Sequence, residues 1–319
     1  MIFRVYKLLK PFFKGSKKWY ARWVGFSILA LAVADVALTY LFNEWRGKFY
    51  DAIQQLNFPE FTTQLLVFSV LAAISIVMYT MTNYLIQRYT LVWRAWQTDI
   101  FLKQYQKTEI DNPDQRIQED VALFTDFVAR LTLGLLTAAL TLVVFTPILW
   151  SLSKEITFGS VYIPGSLWYI SLLFSILGSW GCFWIGRKLW STQYSNQKLE
   201  ADFRYGLVKL REEVLHKEES SIRTTFTALL KNYVMLYNQF KIFGFARSTY
   251  FQAAIILPFF VAAPSYFSGA IQLGALMQIA HAFNVVNESM SYLLDRYLDI
   301  TKLKSVTNRL IELSDELDK

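Results

Sequence analysis

Leu131 to Trp150 reads LTLGLLTAALTLVVFTPILW, an apolar run without one charged side chain. A helix needs about 20 apolar residues to cross the hydrocarbon core of a bilayer, and this run meets that length. It fixes the fold class as an all-α membrane protein. Five further segments fit the same template: Val24 to Phe42, Leu65 to Ile86, Leu167 to Ile185, Thr249 to Phe267 and Ile271 to Leu294. The expectation is therefore six transmembrane helices in a single transmembrane domain over residues 1–319. The last segment is the most polar, interrupted by Gln278, His281, Asn284, Asn287 and Glu288.

Composition agrees with lipid as the solvent. Of 319 residues, 54% are hydrophobic, 17% aromatic and only 18% charged, against about 25% charged in a soluble domain. One cysteine, Cys182, lies inside an apolar run and offers neither a disulfide framework nor a metal cluster. His216 and His281 have no ligand-spaced partners, so neither a metal nor another cofactor is expected. The net charge of +7 is concentrated near the start, in Arg4, Lys7, Lys10, Lys14, Lys17, Lys18 and Arg22. Flanking the first apolar run, these residues point to membrane lipid and topology rather than nucleic acid. That run is too long for the core of a secretory signal and is expected to be retained.

Cytoplasmic segments are enriched in Lys and Arg, so the N-terminus is expected in the cytoplasm, and six spans return the C-terminus there. The segments between Gln87 and Arg130 and between Gly186 and Ser248 are long, rich in Gln, Leu, Lys, Glu and Ala, and poor in Gly and Pro. They read as helices that run past the membrane. At about 1.5 Å per residue, a helix from Phe61 to Ile110 reaches roughly 75 Å. Asp111-Asn112-Pro113-Asp114 is its expected break.

Four polar constellations are candidates for function, because lipid tolerates such residues only where they face protein or water. Asp35 lies mid-way along the first span. Glu119, Asp120, Asp126 and Arg130 open the third long helix, where acids also complement the helix dipole. Glu200-Ala201-Asp202-Phe203-Arg204-Tyr205 sits in the second excursion, with a salt-bridge network as the alternative reading. Gln278, His281, Asn284 and Glu288 are spaced to share one helical face, as the lining of a water-filled cavity. Trp19, Tyr20 and Trp23 read as an interfacial belt, and Trp93-Arg94-Ala95-Trp96 as packing between helices.

Taken in order, Trp45 with Phe49-Tyr50-Asp51-Ala52-Ile53-Gln54, Trp93-Arg94, Asn112 to Asp120, Glu200 to Arg204, and Gly274-Ala275-Leu276-Met277-Gln278 resemble the SbmA/BacA peptide transporters. They are similar also to the membrane domains of ABC exporters linked to cobalamin, peptides and fatty-acyl substrates. The resemblance implies an ABC-exporter-type transmembrane fold, a domain-swapped homodimer without a nucleotide-binding domain, and proton-driven uptake of peptides or other bulky polar compounds across the bacterial inner membrane. It places proton-site glutamates at Glu119 and Glu200, while a further glutamate of the pattern falls at Ala129, beside Asp126 and Arg130.

Two functions follow as expectations. One is a secondary transporter, not an enzyme, that couples a proton through Glu119, Glu200, Asp120, Asp126 or Asp35. The other is the membrane subunit of an ABC transporter working with a separate ATPase. The sequence contains no phosphate-binding loop of the Gly-rich, Lys-Ser/Thr kind.

Overall fold

A computed structural model describes residues 2–103, 114, 116–158, 161–212 and 219–317. Eight α-helices are present among them: α1 (Ile2–Lys14), α2 (Lys18–Gln54), α3 (Phe58–Leu102), α4 (Val121–Leu152), α5 (Ser166–Glu212), α6 (Glu219–Phe267), α7 (Leu273–Asp295) and α8 (Tyr297–Leu317). A π-helical turn, Arg116–Asp120, leads into α4. The connection after α4 holds the departure from an all-helical chain, a two-residue antiparallel pair of Thr157–Phe158 with Val161–Tyr162. The expected break at Asp111 to Pro113, together with Gln115, Glu213 and His216, lies outside the described residues.

The long helices follow from sequences with few breakers. The α3 helix runs 45 residues, about 68 Å at 1.5 Å per residue. Its start is set by Asn57, whose side chain accepts from the Glu60 N–H at 3.2 Å, with Pro59 in the first turn, where a missing donor costs nothing. Five helical stretches are long and apolar enough to cross a membrane: Lys18–Gln54, Phe58–Leu102, Arg116–Leu152, Ser166–Leu210 and Ile222–Phe267. The α7 helix, the expected last span, has the length but not the apolar character, because of its polar stripe.

The chain divides into two compact units, Met1–Leu172 with Pro258–Lys319, and Leu173–Leu257. In the first, α2 packs along α3, and α7 lies against both α2 and α4. At the end where α1 and α8 meet these helices, Leu8, Phe12, Tyr89, Trp93, Phe124, Val121, Leu303, Val306, Leu310 and Leu313 form one buried cluster. Trp93 is its centre, 1% exposed, stacked on Phe12 at 5.4 Å and edge-on to Phe124 at 5.7 Å. Each such ring contributes about 1.5–3 kcal/mol through burial. The expected packing role of Trp93 is thus observed, with α1 and α4 as its partners.

The second unit is a helical hairpin made of α5 from Leu173 onward and α6 as far as Leu257. Gly178 admits the ring of Tyr250 where a Cβ would collide with it, and the Asn232 amide donates to Asn196 Oδ1 at 3.1 Å.

Candidate functional site

Asn43 on α2 meets α7 twice: the Gln278 amide donates to its carbonyl at 3.2 Å, and the ring Nδ1 of His281 lies 3.0 Å from its Oδ1. Two turns further along α2, Asp51 Oδ1 accepts from the Gly274 N–H at 2.8 Å, and Gln54 Oε1 accepts from the Leu273 N–H. These bonds satisfy donors at the α7 N-terminus, where Gln272 makes no side-chain cap of its own. Gly47 and Gly274 allow the approach, because a Cβ on Gly274 would strike the Gly47 carbonyl. The two helices are therefore antiparallel and in fixed register. The segments around Asp51 and Gly274, which share in the family resemblance, are joined in space.

Followed in the opposite direction, the register brings Asp35 and Glu288 to one cavity of about 690 Å³. Thr137, Thr141, Asp126 and Arg130 of α4 form another wall, and Tyr292, Arg296 and Asp299 continue the lining beyond Glu288. Gly134 is what lets α4 approach: the Tyr292 ring occupies the place of its Cβ, and the Tyr292 hydroxyl donates to the Leu131 carbonyl at 3.2 Å.

The charges in this cavity are not balanced. Asp126 pairs with Arg130 at 2.7 Å and Asp299 with Arg296 at 3.6 Å. Asp35 and Glu288 have no cationic partner among the described residues, and both side chains are exposed in the single chain. A carboxylate mid-way along a helix long and apolar enough to cross a membrane, as Asp35 is on α2, must meet water, a ligand or another protein surface.

Each candidate residue has its place. Asp35, Asp126 and Glu288 line the cavity; Gln278 and His281 bind α2; Asn284 is half-buried on α7. Asp120 is elsewhere, its carboxylate 2% exposed and held by both Arg309 Nε at 2.7 Å and Nη2 at 2.6 Å. That hydrogen-bonded carboxylate raises Arg309 above the ordinary guanidinium range, and the charge of Glu119 reinforces it. Arg116 adds bonds to the Arg309 carbonyl at 2.9 Å and to Glu312 at 3.2 Å, and Arg94 donates to the Gln118 carbonyl at 2.9 Å. Glu119 and Asp120 thus belong to the junction of the π turn with α8. Glu200 is within the hairpin, accepting from the Tyr233 hydroxyl at 2.6 Å, which raises the phenol above its usual range. Among the described residues, no group of three or more His, Cys, Asp or Glu side chains gathers where a metal ion would sit.

Sequence reasoning missed Thr137, Thr141, Tyr292 and Arg296. A signal existed, since Asn284, Glu288, Tyr292 and Arg296 recur at every fourth position and so extend one helical face.

Residues 16–318 match the SbmA/BacA-like family. The inner membrane ABC transporter ATP-binding protein YddA of Escherichia coli is 29% identical, covering 96% of this chain and 59% of the relative. The chloroplastic ABC transporter D family member 2 of Arabidopsis thaliana is also 29% identical, covering 99% of this chain and 46% of its own length. An uncharacterized ABC transporter ATP-binding protein of Synechocystis is 26% identical, with 96% and 49% covered. The chain therefore spans about half the length of the curated relatives it matches. With a family match over nearly its whole length, this membrane protein belongs to the SbmA/BacA-like family.

Proposed function

We propose that the chain is the membrane part of a homodimeric carrier that brings peptides or other bulky polar compounds into the cytoplasm, driven by the proton gradient. The observation that carries this reading is the pair of cavity carboxylates without counter-ions, Asp35 and Glu288. When such a cavity is wet, two carboxylates are solvated; when it closes, their desolvation and mutual repulsion cost free energy unless a proton is taken up. A proton bound in one state and released in the other biases two conformations separated by a few kcal/mol. Asp126 and Arg130 provide a neutral wall beside the pair, and Glu119, whose charge acts on Arg309, is a further acid for the carrier at the junction of the π turn with α8.

Two observations support a second copy. A cavity of about 690 Å³ is of small-molecule size, within roughly 300–1,000 Å³, so a peptide needs walls from two chains. In the hairpin, outside its expected spans, Leu207, Val208, Val234, Met235, Tyr237 and Phe245 are exposed, an apolar surface that water does not favour. In this reading α7 is the sixth span, shielded by α2 and α4, and both termini face the cytoplasm of a bacterial inner membrane.

A second reading is favoured by the relatives, whose names describe ABC transporter ATP-binding proteins. Here the same helices form the membrane half of an ATP-driven transporter, with the ATPase supplied separately or in tandem. Proteoliposomes containing only this chain and a labelled mixed peptide pool distinguish the two. Uptake under an outside-acid pH gradient without nucleotide supports the proton carrier. Uptake that needs ATP and an ATPase, and ignores the gradient, supports the second reading.

A further inference from the structure

The α1 helix has two faces, and its core-facing side is fully used. Leu8 and Phe12 are buried in the cluster around Trp93, with Val5, Leu9 and Phe13 packed against it. Arg4 and Lys7 at the margin are engaged with α8, through Asn308 at 2.7 Å and Asp315. The remaining face carries Phe3, Tyr6, Lys10 and Lys14, whose spacings of three, four and four residues align them along one side. All four are exposed, Phe3 to 81%.

A tight turn at Gly15 folds α1 back beside the start of α2, with the Gly15 N–H bonded to the Pro11 carbonyl at 2.7 Å. Lys17 and Lys18 follow, and then exposed Trp19, Trp23 and Phe26. Cations and rings alternate in contact: the Lys10 ammonium is 5.9 Å from the Tyr6 ring centre and the Arg22 guanidinium 6.0 Å from that of Trp19. From Met1 to Ala34 the chain has seven basic residues and no acid. Lys10, Lys14, Lys17 and Lys18 have no carboxylate partner among the described residues.

We propose that α1 and the first turns of α2 form a docking surface for anionic phospholipid headgroups. The charges fit a phosphate-bearing surface, and the rings fit the boundary at which α2 enters the bilayer. Phe3, Tyr6, Trp19 and Trp23 settle at the acyl boundary while the lysine stems extend their ammonium groups to the phosphates. A role in topology alone requires positive charge near the first span. It does not require a folded-back helix that presents lysines and rings along one outward face. The proposal rests on the membrane location of the chain and stands independently of what the cavity carries.

The experiment places the purified chain in nanodiscs of equal phosphatidylglycerol and phosphatidylcholine and reads the co-released lipid by native mass spectrometry. Lysine near an anionic surface strengthens binding by about fivefold per residue. Enrichment of phosphatidylglycerol by at least about threefold is expected for the wild type, with loss of most of it in the Lys10→Gln, Lys14→Gln, Lys17→Gln triple variant and retention in the corresponding Lys→Arg triple variant. Equal retention of both lipids by the wild type would overturn the proposal whatever the variants do. So would undiminished enrichment in the Gln variant, or displacement of the lipid by inorganic phosphate at matched ionic strength, which would mark a site for a soluble anion.

Discussion

Asp120 and Arg309 show how much one buried charge pair can hold. The carboxylate is 2% exposed and receives two charge-assisted bonds from a guanidinium 189 residues away. Arg309→Met leaves that carboxylate buried and unpaired, so the variant should lose about 2 kcal/mol or more of stability, measured by thermal unfolding in detergent. Asp120→Asn keeps a polar partner and should lose less. A neutral Arg309→Met variant would mean that water already solvates Asp120. Cavity carboxylates should behave in the opposite way: Glu288→Gln removes a charge without a counter-ion, so unfolding should be little changed or slightly delayed. Asp120 was readable in the sequence as an acid opening a helix; its partner was not, because nothing local in a sequence links the π turn to α8. Asp35, by contrast, was legible alone, since a carboxylate inside an apolar span is conspicuous without any structure.

At the level of elements, the α2–α7 seam depends on two glycines with different neighbours. A Cβ at Gly274 would strike the Gly47 carbonyl, which is backbone and cannot turn aside; at Gly47 it would meet the Gln278 amide, the far end of a flexible side chain. Gly274→Ala should therefore cost about 1–3 kcal/mol and Gly47→Ala clearly less, both read as shifts of the thermal midpoint. Equal effects would show that the register is not fixed at Gly274. Five of the six expected spans were legible because apolar length is a local property, and the continuation of α3, α5 and α6 beyond them was legible from the scarcity of Gly and Pro. The polar stripe of α7 was visible as a face, but what faced it was not. Gln278 and His281 turned out to bind α2 at Asn43, while Glu288 alone among the stripe lines the cavity. The docking of α1 onto α8 was likewise hidden, because α1 looked like a basic tail until its Leu8 and Phe12 were seen inside the core.

For the whole molecule, the proposed carrier is a dimer that covers the cavity with two unpaired carboxylates and the apolar hairpin surface, so the purified protein should run as a dimer in detergent. A stable, transport-active monomer would defeat that arrangement. Topology has its own check: a cysteine at Asn57, in the turn between α2 and α3, should be labelled from the outside of intact cells. What the chain moves was not legible, because in the proposed carrier specificity lies in how several helices line one cavity and no single helix encodes it. The central claim, that protons and substrate share the acidic cavity, is tested most directly by proton flux in proteoliposomes loaded with a pH-sensitive dye and free of nucleotide. Adding the mixed peptide pool outside should acidify the lumen of wild-type vesicles. In Asp35→Asn and Glu288→Gln vesicles the initial rate should fall by at least roughly tenfold, or about 1.4 kcal/mol, while the peptides still bind. Peptide-evoked acidification at the wild-type rate in both variants would contradict the account.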